Sequence, residues 1–120
     1  MASIKSRDTR PELLVRRIAY SLGYRYRIGD SKLVGKPDLV FKSRHKVIFV
    51  HGCFWHVHEG CSISHIPDSD FWRKKLTRNQ ERDKRVIATL EAQGWDCLVL
   101  WECELGTPRK LANRLRNFLG

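Results

Sequence analysis

The sequence predicts an α/β fold: one domain with a mixed central sheet flanked by helices, in the order α-β-β-β-α-β-α. Three observations carry this expectation. Apolar residues recur at helical spacing in three segments, and short apolar runs of strand length lie between them. The chain has 120 residues, 42% hydrophobic and 30% charged, which is enough for one packed core and little more.

The first helix is expected from about Thr9 to Leu22. Asp8 or Thr9 can cap it, and Pro11 suits a first turn where a missing N–H costs nothing. Leu13, Leu14, Ile18 and Leu22 form an apolar stripe, and Gly23 stops it. Tyr24 to Ile28 reads as a strand ended by Gly29-Asp30, and Ser31 to Lys36 as a polar loop containing glycine. Leu39–Phe41 and Val47–Val50 are apolar runs separated by Lys42-Ser43-Arg44-His45-Lys46. They suit a hairpin whose inner strand is covered on both faces.

His51 to Asp70 has no period and collects His, Cys, Gly and Pro, so it is expected to be a long functional loop. A second helix is expected over about Phe71 to Gln93, with Leu76, Val86, Ile87 and Leu90 inward and Gly94 as its stop. Cys97 to Trp101 is a further strand, and Pro108 to Phe118 a closing helix with Leu111, Leu115 and Phe118 inward.

The formal net charge is +10, with Lys and Arg distributed along the whole chain. Distributed cations favour a polyanion, nucleic acid first, because phosphates along a duplex reward them through counterion release. No apolar run approaches the roughly 18 residues of a membrane span, and Met1 to Arg10 has no secretion-like apolar stretch. A cytoplasmic location is expected. In that reducing compartment, four cysteines interleaved with histidines suggest metal before disulfides.

Two constellations can do chemistry. In Gly35-Lys36-Pro37-Asp38, proline stiffens the chain and sets Asp38 at a strand start, where its carboxylate can hold a hard cation. A Pro-Asp pair also marks ordinary turns. More specific is Val50-His51-Gly52-Cys53-Phe54-Trp55-His56-Val57-His58-Glu59-Gly60-Cys61. Cys53, His58 and Cys61 can bind zinc from one loop, with Cys103 of Trp101-Glu102-Cys103 as a fourth ligand. A site closed by four N or S ligands is structural, because no position is left for substrate. The alternative is a set of ordinary reduced cysteines, and Cys97, inside an apolar strand, reads as core. His51 and His56 are then left over for moving protons.

The runs Arg7-Asp8-Thr9, Gly35-Lys36-Pro37-Asp38, His51-Gly52-Cys53-Phe54-Trp55-His56, Phe71-Trp72, Asn79-Gln80-Glu81-Arg82-Asp83, Gly94-Trp95 and Trp101-Glu102-Cys103 together resemble the very short patch repair endonucleases, in order and over nearly the whole chain. The resemblance implies a restriction-endonuclease-like fold and nicking of double-stranded DNA on the 5′ side of the thymine in a T:G mismatch. It implies Asp38 as the Mg2+-binding catalytic carboxylate and the Val50 carbonyl as a second inner ligand. His51 and His56 become the catalytic histidines, Glu12 a supporting acid, and Cys53, His58, Cys61 and Cys103 the structural Zn2+ site. Phe54, Trp55 and Trp72 match the aromatics that the family wedges into the base stack. A poorly stacked mismatch costs less to open, by a few kcal/mol at most, and apolar wedges exploit that difference.

For Trp72, beside Arg73-Lys74-Lys75, an exposed position is expected; Phe54 fits a core position equally well. Arg73, Lys74, Lys75, Arg78 and Arg82 are candidates for phosphate contacts, a solvated helix face being the common alternative. Where restriction-type sites carry an acid and a lysine after the hairpin, this chain reads Phe49-Val50-His51, so histidine chemistry substitutes. Glu59-Gly60 lengthens the zinc loop relative to some family members. The chain also begins almost at its first helix, where members carry a longer arm on DNA, which implies a trimmed chain or a weaker grip. A monomer is expected, since one nick needs one active site. Rival readings are a homing or restriction enzyme of the same superfamily, a non-catalytic zinc-stabilised DNA-binding module, and a hydrolase with catalytic zinc on His51, His56 and Asp38.

Overall fold

A computed structural model describes residues 9–29, 32–52 and 69–120. Its elements are α1 (Arg10–Ser21), β1 (Leu39–Phe41), a 3-10 turn (Lys42–Arg44), β2 (Lys46–His51), α2 (Asp70–Ala92), β3 (Asp96–Trp101), a second 3-10 turn (Glu102–Glu104) and α3 (Pro108–Leu119). The described strands form one sheet in the order β1-β2-β3, antiparallel between β1 and β2 and parallel between β2 and β3. No helix among the described residues is long and apolar enough to cross a membrane.

The sheet is covered on both faces, as the unbroken apolar run of β2 requires. Leu39, Phe41, Ile48, Val50 and Leu100 pack with Val15, Ile18 and Ala19 of α1 and Leu111, Leu115 and Leu119 of α3. On the opposite face Val40, Val47 and Phe49 meet Val86 and Leu90 of α2, with Leu33, Ile87 and Trp95 at the margin. The alternation 47/49 against 48/50 is the period of two that sends successive strand residues to opposite faces.

The helix ends follow their local chemistry. Thr9 and Thr107 accept backbone N–H bonds from Glu12 and Lys110 as N-caps, each followed by proline in the first turn. At the far end of α3, Arg44 Nε donates to the Leu119 carbonyl at 3.1 Å and Lys46 Nζ to that of Phe118. Hairpin cations thus satisfy carbonyls that a helix terminus leaves without intrahelical partners.

Several expectations need correction. Tyr24 to Ile28 is no strand but a single bridge, Arg27 to Val40, with both backbone bonds at 2.9 Å. Tyr24 and Tyr26 instead turn inward edge-on to Phe41, and the Tyr26 hydroxyl donates to the Arg16 carbonyl, so side-chain packing replaces ladder bonds. In α1, Ile18, Leu14 and Leu22 meet the core as expected, but Leu13 is 47% exposed and Glu12, Val15 and Ala19 join Ile18 on the buried face. At the end of α3 Leu119 is buried beside Phe118, which packs half-buried against the same core as expected, and Ile87 packs half-buried against the α2 cluster. His51, expected in the loop, is the last residue of β2, held in register with Trp101, and Asp70 already belongs to α2.

Candidate active site at one edge of the sheet

Because β1 runs against β2 and β3 runs with it, the start of β1 and the ends of β2 and β3 share one edge. That edge gathers Asp38 just before β1, Val50 and His51 closing β2, Trp101 closing β3, and Glu102 and Cys103 in the turn that follows. Crevices outside the carboxyl ends of strands are where α/β sheets place their ligands.

Asp38 is anchored. Its Oδ2 accepts the Val50 backbone N–H at 2.6 Å, short as bonds to a carboxylate are. The register explains why that N–H is within reach. Val40 exchanges both backbone bonds with Arg27, so Leu39 and Phe41 turn theirs toward Ile48 and Lys46, and Val50 faces the same way. The residue opposite Val50 in this register is Pro37, which has no N–H to give to the Val50 carbonyl and is buried. The Asp38 carboxylate takes the Val50 N–H in place of a ladder bond. Carboxylate and carbonyl oxygen are the donor types a hard divalent cation takes, so Asp38 and Val50 fit magnesium.

His51 is buried, 5% exposed, with its ring 5.7 Å from Phe49 and 5.1 Å from Trp101 between centroids. Glu12 is also buried, 3% exposed, on the α1 face that packs toward the sheet; Arg16 Nη2 donates to its Oε2 at 3.3 Å. Burying a carboxylate on an apolar face is costly unless it is paired, and the Arg16 guanidinium one turn on supplies that pairing. Cys103 is exposed in the turn after β3, beside the strand end from which the 53–68 segment departs. Its expected partners Cys53, His58 and Cys61 lie outside the described residues, as do His56, Phe54 and Trp55. Cys97 is half-buried, and burial, helped by Glu91 and Asp96, pushes its thiol up to about 11.

Trp72 is half-buried, less open than expected, and lies edge-on to Phe71 at 5.4 Å. Lys75 Nζ sits 5.6 Å from the Trp72 ring and 5.9 Å from that of Phe71. Sequence reasoning missed Phe71, which is 65% exposed. The available signal was spacing: Phe71, Lys75, Arg78, Arg82 and Arg85 recur every three or four residues and form one exposed stripe along α2. Arg73 and Lys74 lie off that line, in a shallow groove with Asp70, Thr77 and Arg78.

Known proteins resemble this chain over nearly its full length. The Type II nicking enzyme V.XorIIP of Xanthomonas oryzae pv. oryzae is 49% identical over 121 residues, covering 99% of this chain and 88% of its own. The Type II nicking enzyme V.NmeAIP of Neisseria meningitidis is 46% identical, covering 96% and 85%. The DNA mismatch endonuclease Vsr of Escherichia coli K12 is 39% identical, covering 94% and 73%. These relatives define a class, the DNA-cleaving endonucleases. The family model for DNA mismatch endonuclease Vsr matches residues 1–62. The chain belongs to the Vsr family.

Proposed function

We propose that this protein nicks one strand of double-stranded DNA on the 5′ side of the thymine in a T:G mismatch, such as deamination of 5-methylcytosine leaves, and so initiates very short patch repair in the cytoplasm. The observation that carries the reading is the Asp38 carboxylate fixed on the Val50 N–H, at the edge where His51 also ends its strand.

Asp38 and the Val50 carbonyl would hold Mg2+. When bound, the ion supplies a Lewis acid for the phosphate and the leaving oxygen. His56, by preference, takes a proton from the attacking water, and His51, its ring set by Phe49 and Trp101, holds or returns a proton nearby. A bond forms between water oxygen and phosphorus and the bond to the 3′ oxygen breaks, leaving a 3′-hydroxyl and a 5′-phosphate. Glu12 supports the site from α1. Cys53, His58, Cys61 and Cys103 would hold structural Zn2+, tying the loop after β2 to the end of β3. Phe54, Trp55 and Trp72 would wedge the mismatch open, while the α2 cations grip phosphates. One active site suffices for a nick, consistent with a monomer.

The test is nicking of a labelled duplex with one T:G pair against its T:A control, with magnesium or chelator, for the natural chain and Asp38→Ala. Magnesium-dependent cutting beside the mismatched thymine, lost in the variant, is expected. Cutting of both duplexes would point to a restriction or homing specificity, and tight binding without cutting to a DNA-binding module.

A further inference from the structure

The turn ahead of Asp38 rests on α2 through a glycine. Lys36 N–H donates to the Leu33 carbonyl at 3.2 Å, closing a four-residue turn with Gly35 in its third position at φ +76°. Lys36 follows with φ +46°, also left-handed. A Cβ built on Gly35 would lie 2.2 Å from Val86 Cγ1 and 3.0 Å from Cγ2. Val86 is 8% exposed and β-branched, inside a 23-residue helix, so it has little freedom to move aside. Leu33 packs against the same cluster. Beyond the turn come buried Pro37 and the Asp38–Val50 bond.

We infer that Gly35 is a positioning residue for Asp38: its bare Cα, seated on Val86, sets where the turn stands on α2 and so where the carboxylate stands at the sheet edge. The inference rests on Asp38 acting in the nicking reaction. Between a left-handed turn and an immobile proline, displacement at Gly35 has no slack to absorb it before Asp38. The helix that carries the exposed cations Lys75, Arg78, Arg82 and Arg85 is thereby the helix that fixes the carboxylate.

The test compares Gly35→Ala, Val86→Ile, Val86→Ala, Gly35→Ala/Val86→Ala and Asp38→Ala in the full chain. Nicking of the T:G duplex is read at saturating DNA and at low DNA, together with hydrogen exchange of the Val50 amide. Gly35→Ala is expected to lower the saturating rate by about tenfold or more, with KM changed by less than about threefold, and to speed Val50 exchange. Val86→Ile, which presses on Gly35 without altering its φ, tests the contact should Gly35→Ala fail to fold. It is expected to cost about threefold or more in rate, again with faster Val50 exchange. In the double variant the added methyl is expected to cost far less than in the natural background, because the space it needs has been opened.

Undiminished rate and Val50 protection in both Gly35→Ala and Val86→Ile would overturn the inference. So would a double variant no better than additivity. Wild-type nicking by Asp38→Ala would instead remove the reading of Asp38 itself.

Discussion

Replacing Asp38 by asparagine separates the two things its carboxylate does. Asparagine keeps an oxygen that can accept the Val50 N–H, now at 2.6 Å, but carries no charge. A hydrogen bond to a charged group contributes about 1.5–3 kcal/mol and a neutral one about 0.5–1.5, so Asp38→Asn is expected to cost about 1 kcal/mol of stability. Asp38→Ala leaves a strand-end N–H without this acceptor and is expected to cost about 1–3 kcal/mol. At an unfolding entropy of about 2.1 cal/mol/K per residue, 1 kcal/mol shifts the melting point of a chain this size by about 4 °C. The asparagine variant should therefore melt about 4 °C lower, and the alanine variant up to about 12 °C lower. Activity should follow a different order. On the role proposed for Asp38 both substitutions would remove the anionic ligand, a loss of several kcal/mol of transition-state stabilisation, and both should then nick on the order of a thousandfold more slowly. Thermal melts and single-turnover nicking on one preparation make the comparison. An asparagine variant that nicks near the natural rate would refute the catalytic role, and one that melts lower than the alanine variant would refute the hydrogen bond as the anchor.

Along α2, Arg78→Ala and Arg82→Ala should each weaken binding to matched and mismatched duplex alike and lower the slope of log K against log salt by about 0.9 per lost phosphate contact, with little change in rate at saturating DNA. Unchanged slopes would leave that stripe as a solvated face. Cys97, pushed to about 11 mainly by burial, keeps its proton in the folded chain where the unfolded thiol, at 9.0, has lost it; its contribution to stability is full below pH 9 and disappears as pH rises toward 11. Melting curves at pH 8 and 10.5 should fall less for Cys97→Ala than for the natural chain, and Cys97 should alkylate slowly at pH 8. Thr107→Ala, removing the cap bond to the Lys110 N–H at 3.2 Å, should cost about 1 kcal/mol in a melt and leave the DNA-binding isotherm unchanged.

The sequence was most readable where one local rule sufficed. Proline and glycine bracket α1, threonines cap two helices, and β2 is apolar throughout because both its faces are covered. It was less readable where packing chose among local options. Tyr24 to Ile28 has strand composition, yet the two tyrosines find Phe41 and the backbone pairs once only. Leu13 carries the apolar period, but the helix turns Glu12 inward instead, and a period count has no way to anticipate a buried acid paired with Arg16 one turn on. His51 looked like the start of a loop because its register with Trp101 is set 50 residues away. Asp38 itself was legible as half of a Pro-Asp pair; the reason for the proline was not. Only the register shows that residue 37 stands opposite Val50, where an N–H would compete for the carbonyl.

Gly35 carries the same argument further. By sequence it is one turn glycine among eight in the chain, and its left-handed φ would be reason enough for it. Other described glycines with positive φ, Gly23, Gly29 and Gly94, face open space, whereas Gly35 faces a β-branched side chain 51 positions later at a distance no Cβ tolerates. A turn requirement is met wherever the backbone is left-handed; a packing requirement exists only against a particular neighbour. Substitution at Gly23 therefore measures the backbone term alone, and any excess at Gly35, in stability or in Val50 exchange, measures how firmly α2 holds the carboxylate in place.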